Sequence, residues 1–282
     1  MRRSPTFSVI QYAFAVLIAI CTLSPFAWLF ISSISYQKDL TAVPLRWIPQ
    51  DITFQRYLDV FTNPDNDLAY SFRMSMMNSF VVAACVTLAA VVVGGLAAHA
   101  VARYRFRFRQ ELVYLFLFTY MIPSVVIVIP LYLLLSGIGA LDSKLTLIAL
   151  DLTFAIPFVI WIMQSYFKQL SKEFYEAASI DGCTRLQTLL MIVVPLVRPG
   201  IIATCIFTFL LAWDEFFFSL LFTSSLDAKT ISVAIAEFSG KNAVDYGMIS
   251  AGGVLACLPP LIIAYAFQKF LVQGMTAGGV KE

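Results

Sequence analysis

Charged side chains are scarce in this chain. They make up 13% of its 282 residues, while 60% are hydrophobic, against about 25% and 45–50% in soluble domains. A water-soluble surface over the whole molecule is excluded. Histidine occurs once, and with no metal-ligand spacing around it an intramembrane enzyme has little to work with. Of five cysteines, Cys21, Cys85, Cys205 and Cys257 fall in apolar blocks and Cys183 in a polar loop, with no C-x-x-C pair, so all five read as structural. No G-x-x-x-x-G-K-[ST] loop is present, so nothing here cradles a nucleotide. A net charge of +2 gives no bulk attraction for nucleic acid.

What is abundant is long apolar sequence. A helix needs about 20 mainly apolar residues to cross the hydrocarbon layer, because each residue rises only about 1.5 Å. Six blocks meet that length: Val9–Ile34, Asn78–Val101, Leu112–Leu135, Leu145–Phe167, Pro199–Phe222 and Ser250–Phe270. Pro123, Pro130 and Pro157 lie inside these spans and predict kinks, each removing one backbone hydrogen bond.

The connections orient the spans, since Lys and Arg are retained on the cytoplasmic side. With the N-terminus inside, the inner segments hold twelve of the nineteen basic residues and five acidic ones, and the outer segments hold seven basic and nine acidic. Both termini are therefore predicted in the cytoplasm, with residues 1–8 as an N-terminal segment, 9–271 as the membrane domain, 168–198 as an inner loop and 272–282 as a tail. Arg2 and Arg3 ahead of an apolar run also resemble a secretory signal, but the run is about twice the length of a signal's apolar region.

The first outer loop carries a short amphipathic stretch, Phe54, Tyr57, Leu58 and Phe61, suited either to capping the bundle or to docking an external partner. Arg103-Tyr104-Arg105-Phe106-Arg107-Phe108-Arg109 alternates basic and aromatic residues beside a span. That pattern reads as an interfacial anchor on membrane lipid and not as a nucleic-acid patch. The inner loop 168–198 predicts a helix-turn-helix. Ser171 caps a helix running to Ile180, Gly182 ends it, and Thr184 with Gln187 forms a capping box for a second helix closed by Pro195. Phe174, Ala177 and Ala178 give the first helix a small apolar face for a partner.

These residues resemble a known family. Glu176-Ala177-Ala178, then Gly182 after three intervening residues, then Ile192 and Pro195, are similar to the EAA loop of binding-protein-dependent ABC importers, with Val194 where the pattern usually has Leu. Asn78-Ser79, Ala102-Arg103-Tyr104-Arg105-Phe106, Trp213-Asp214-Glu215-Phe216 and the tail Gly274 to Lys281 resemble the carbohydrate branch, in particular the maltose-type second permease subunit. The resemblance implies an all-α, six-helix type I permease of a bacterial inner membrane that carries a sugar-like solute by alternating access. It further implies a second homologous permease forming a heterodimer, two ATPase subunits and an extracytoplasmic solute-binding protein. ATP and Mg would belong to the ATPase, with no cofactor and no enzymatic activity on this chain. Glu176, Ala177, Ala178, Asp181, Gly182, Ile192 and Pro195 are the implied ATPase-coupling residues, and Gly274, Thr276, Gly278 and Lys281 the implied tail contact to the ATPase.

Three acids lie within spans, Asp151, Asp214 and Glu215. Each costs about 2.5–3.5 kcal/mol at the bilayer centre, so they are expected to face a cavity or a partner. Read on one helix, Asp214 and Glu215 point in different directions. Asp214 beside Trp213 is the favoured pathway residue, because a carboxylate with an aromatic face suits hydroxyl-rich rings; the same acids also suit hydrogen bonds that glue helices together. Asp214 departs from the Asn usual there, which leaves the solute open between a sugar, a polyol, glycerol phosphate or another polar compound. A self-sufficient channel or secondary carrier would need its own coupling-ion site and often shows internal repeats, and no convincing repeat is found.

Overall fold

The computed structural model describes residues 5–63, 67–237 and 245–279, and for 5–7, 9 and 271–279 the backbone alone. The elements are α1 (Pro5–Ile34), α2 (Gln37–Leu40), α3 (Gln55–Thr62), α4 (Asp67–Arg103), α5 (Arg109–Met121), α6 (Ser124–Gly137), α7 (Lys144–Gln169), α8 (Glu173–Ile180) and α9 (Arg185–Gln187). A π-helical stretch (Thr188–Val193), α10 (Val194–Leu196), α11 (Arg198–Trp213), α12 (Phe217–Phe222), α13 (Ile231–Glu237) and α14 (Tyr246–Gly279) follow. No strand occurs among the described residues.

Four helices, α1, α4, α7 and α14, are long and apolar enough to cross a bilayer. Two bent pairs pass the same test when taken together, α5 with α6 at 85° and the α9–α10 segment with α11 at 78°. The count reaches six only when each bent pair is one crossing.

The helix breaks have separate causes. The third apolar block was expected to kink at Pro123, and it stops there instead. Ile122, held extended by the proline that follows it (φ −68°, ψ 122°), cannot continue α5. Pro130 and Pro157 lie within helices as expected, and so do Pro25, Pro259 and Pro260. The fifth block was read as one helix, but α11 ends at Trp213 and α12 begins at Phe217. No proline stands at this break. The Glu215 carboxylate accepts from the backbone N–H groups of Phe218 (2.7 Å) and Ser219 (3.0 Å), capping α12 and taking the place of a continuing helix.

The chain forms two compact units, Met1–Arg73 with Ala234–Leu258, and Met74–Val233 with Pro259–Glu282. In the first, α3 is tied to the end of α1. Tyr57 donates its hydroxyl to Ser33 Oγ (2.6 Å), Arg56 donates to the carbonyls of Ser33 (3.2 Å) and Ser35 (2.6 Å), and Arg56 also pairs with Asp245 (3.3 Å). Tyr57, of the predicted amphipathic stretch, is thus half-buried against α1, while Phe54, Leu58 and Phe61 stay exposed.

In the second unit α7 is the hub, packed by α5, α11 and α12. Its core is dense where small residues let helices approach. A Cβ on Gly94 would come within 2.9 Å of Val159 Cγ1, so α4 and α7 meet there almost backbone to side chain. Large apolar side chains such as Leu88, Val125, Val126, Leu133 and Leu134 remain exposed, as expected where the surrounding solvent is lipid.

Candidate functional site

The inner loop builds a short helical hairpin. Ser171 Oγ accepts from Glu173 N–H (3.3 Å) at the head of α8, and Gly182, at φ +78°, turns the chain at its foot. Thr184 and Gln187 form a reciprocal capping box on α9. The second helix does not end at Pro195. It passes into a π-helical stretch, includes Pro195 within α10, and turns at Val197 before α11. Pro195 has no N–H to give the preceding turn, and a widened π stretch precedes it.

The expected apolar face of α8 is divided. Ala178 is buried against the chain itself, whereas Phe174, Ala177 and Ile180, spaced three apart, are exposed, Ile180 by 86%. Glu176 and Asp181 are also exposed, Ile192 is half-buried and Pro195 exposed. Gly274, Thr276 and Gly278 fall in the last turns of α14, and Lys281 lies outside the described residues.

Behind α8 is a cluster built from Arg103, which the sequence reading placed in a lipid anchor, and from His99, Phe167 and Tyr175. The Arg103 guanidinium stands 3.9 Å from the centre of the Tyr175 ring, and His99 stacks on that ring (6.0 Å, 24°) and meets Phe167 edge-on (5.3 Å). The end of α4, the end of α7 and α8 are thereby joined. Burial pushes the Tyr175 hydroxyl above its ordinary pKa, against the pull of Arg103, so the phenol stays neutral.

A second site lies where helices break. A cavity of about 400 Å³ is lined by Tyr120, Ser124, Asp151, Phe154, Glu215 and Phe218, with residues 121–123 and Leu211 completing it. Both edges of the α5/α6 break and the capping residue of α12 open into it. Asp151 is 3% exposed. The other two pathway candidates are placed elsewhere: Trp213 is buried with its ring stacked on Phe209 (5.7 Å), and Asp214 is exposed; neither lines this cavity. The angle argument for Asp214 and Glu215 no longer applies, because neither residue lies within a helix. The aromatic faces near the acids are Tyr120, Phe154 and Phe218.

At the other end of the unit, the segment before α13 is clamped. Asn78 donates to the carbonyls of Leu226 (2.8 Å) and Lys229 (3.0 Å) and accepts from Lys144 Nζ (3.1 Å), and Ser79 Oγ accepts from Ile231 N–H (2.8 Å). Asp142 accepts from the N–H groups of Ser224 (2.8 Å) and Ser225 (2.9 Å). The Asn-Ser pair heading an apolar block was the available signal for this clamp. Among the described residues no group of three His, Cys, Asp or Glu could hold a metal ion.

Comparison with known proteins accords with this architecture. Residues 90–277 match the family described as binding-protein-dependent transport system inner membrane component. The trehalose/maltose transport system permease protein MalG of Thermococcus litoralis is 33% identical over 95% of this chain and 94% of its own length. The trehalose transport system permease protein SugB of Mycobacterium tuberculosis is 32% identical over 92% of each chain. The diacetylchitobiose uptake system permease protein DasC of Streptomyces coelicolor is 29% identical over 100% of both. Among solved structures, a chain of a bacterial ABC transporter involved in the import of the acidic polysaccharide alginate superposes with a TM-score of 0.78 at 22% identity, covering 95% of this chain and 98% of that one. Fold, apolar helices and relatives agree that this chain belongs to the binding-protein-dependent transport system inner membrane components, the permeases of ABC transporters.

Proposed function

We propose that the chain is the permease subunit of an ATP-driven importer for a sugar or sugar-like solute, working by alternating access and coupled to a separate ATPase through α8. The observation that carries the reading is an exposed helix with Phe174, Ala177 and Ile180 outward, ended by a glycine at positive φ and joined through Tyr175 to α4 and α7. A helix so exposed on one side and so fixed on the other is suited to take a push from a partner and pass it to the spans. Its partners are a second homologous permease, two ATPase subunits that hold ATP and Mg, and an extracytoplasmic binding protein that delivers the solute. Both termini lie in the cytoplasm, and Gly274, Thr276, Gly278 and Lys281 add a tail contact to the ATPase. The names of its sugar-permease relatives support the solute class.

The test is Gly182→Val in the reconstituted complex. A Cβ at this position meets nothing within 4 Å, so the substitution strains the backbone and not the packing. ATP hydrolysis should persist while uptake falls away. Normal coupled transport by this variant would remove α8 from the coupling role.

A further inference from the structure

We infer that the cavity between the α5/α6 break, α7 and the head of α12 is a solute subsite for a cationic nitrogen, such as the protonated amine of an amino sugar, held by Asp151 opposite Glu215. The inference rests on the permease reading above and narrows its solute class.

Three observations converge. Asp151 is 3% exposed, lines the 400 Å³ space and has no hydrogen-bond partner among the described residues. A buried carboxylate without a donor is costly, and a mobile ligand that brings the donor removes that cost only while bound. Glu215 differs: its oxygens accept from the N–H groups of Phe218 and Ser219, which hold the side chain in place. No Lys, Arg or His lines the cavity to balance the two acids. Finally, the α5/α6 break sets non-helical backbone at mid-span against this space, an arrangement tolerated in a membrane only where it is buried in protein or lines a cavity.

The chemistry selects a cation over a neutral hydroxyl. A sugar hydroxyl can donate to Asp151 but brings no positive charge to two carboxyl groups that line one space of low dielectric, whereas an ammonium donates and balances the pair together. Tyr120, Phe154 and Phe218 supply ring faces beside it, which suit both the apolar face of a pyranose and a cation. An anionic solute is disfavoured by the same two acids, which have no basic residue beside them in the lining.

The probe pair is chitobiose, the disaccharide of two glucosamine units, and its neutral N,N′-diacetyl form. Each is titrated into the whole complex in nanodiscs at a pH where the amines are protonated. The subsite predicts binding of chitobiose tighter by about tenfold or more, since a buried charge left unpaired is heavily penalised, and Asp151→Asn should abolish that preference while Asp227→Asn, at an exposed acid outside the cavity, should keep it. Equal binding, preference for the diacetyl form, or binding of neither sugar overturns the proposal, and the wild-type comparison decides this without any variant. A preference that survives Asp151→Asn also overturns it. Should a basic residue of the second permease fill the place instead, the amine preference is absent and Asp151→Asn loosens the permease pair on size exclusion, which equally ends the solute assignment. A complex that imports a neutral sugar with ATP but shows no amine preference keeps the permease reading and loses this subsite.

Discussion

Gly200, at the start of α11, lies so close to Tyr166 of α7 that a Cβ built on it would stand 2.5 Å from the ring's Cγ. The glycine is buried, and Thr204 one turn on donates to its carbonyl (2.8 Å) and to Met163 Sδ (3.3 Å). This contact fixes how α11 leaves the 78° bend that follows the inner hairpin. Gly200→Leu should overpack the interface and destabilise the subunit by about 1–3 kcal/mol. Thermal unfolding followed by size exclusion in detergent reads the loss, and Tyr166→Ala in the same chain should recover much of it. A Gly200→Leu protein as stable as wild type would mean the two helices separate freely at this point.

The clamp at Asp142 predicts a pH dependence of opposite sign to that of a group simply hidden from water. Burial alone would raise its pKa, but the hydrogen bonds from Ser224 and Ser225 outweigh that, and the carboxyl sits below its ordinary value. A carboxyl with a folded pKa below the unfolded one adds stability above the unfolded pKa of about 4, and that contribution is lost as pH falls through the folded value. Asp142→Asn should therefore unfold at a lower temperature than wild type at neutral pH, with the gap closing below about pH 4. A gap that is constant from neutral to strongly acidic pH would show that the charge of Asp142 contributes nothing.

Much of this fold is legible in the sequence because membrane spans are written as unbroken apolar runs, and because the turn chemistry of the inner loop is local. Gly182, Ser171, Thr184 and Gln187 act on backbone groups no more than a few residues away, so their spacing suffices to place them. The break at residues 214–216 is not legible in that way. Its cause is a side chain turning back on its own backbone, within a run that has no proline or glycine, and composition reads such a run as continuous. The cavity was hidden for a related reason, since its lining comes from α5, α6, α7, α11 and α12 and exists only once both breaks are in place. Ala178 shows the limit of periodicity: helical spacing put it on one face with Phe174 and Ala177, but which edge of that face turns inward depends on what α8 rests against.

Orientation is a prediction of the charge pattern alone. Reporters fused after Glu282 or within Lys172–Arg198 should give cytoplasmic signals, and those within Ala42–Asp67 or Ala228–Asp245 external ones. Each is read with a phosphatase and a fluorescent-protein fusion in parallel, because one is active only outside and the other only inside. Reversal at any site breaks the even count of crossings.

The ring of Tyr175 is the point through which a push on α8 reaches the spans. It carries Arg103 on one side at 3.9 Å and lies against His99 at 6.0 Å, while His99 in turn meets Phe167 of α7. His99 Nε2 is buried without a hydrogen-bond partner among the described residues, so aromatic packing and not hydrogen bonding holds this junction. Tyr175→Phe keeps the ring face and should leave coupling close to wild type. Tyr175→Ala removes it, together with a cation–π contact of about 0.5–2 kcal/mol, and should let α8 move without the spans. In reconstituted complexes the alanine variant is then expected to hydrolyse ATP at or above the wild-type rate while uptake per ATP drops several-fold. Arg103→Gln, which spares the ring and deletes the cation, should fall between the two. If Tyr175→Ala transports with unchanged stoichiometry, force reaches the spans by another route, and the continuous chain through Gly182 and Val197 becomes the better place to look for it.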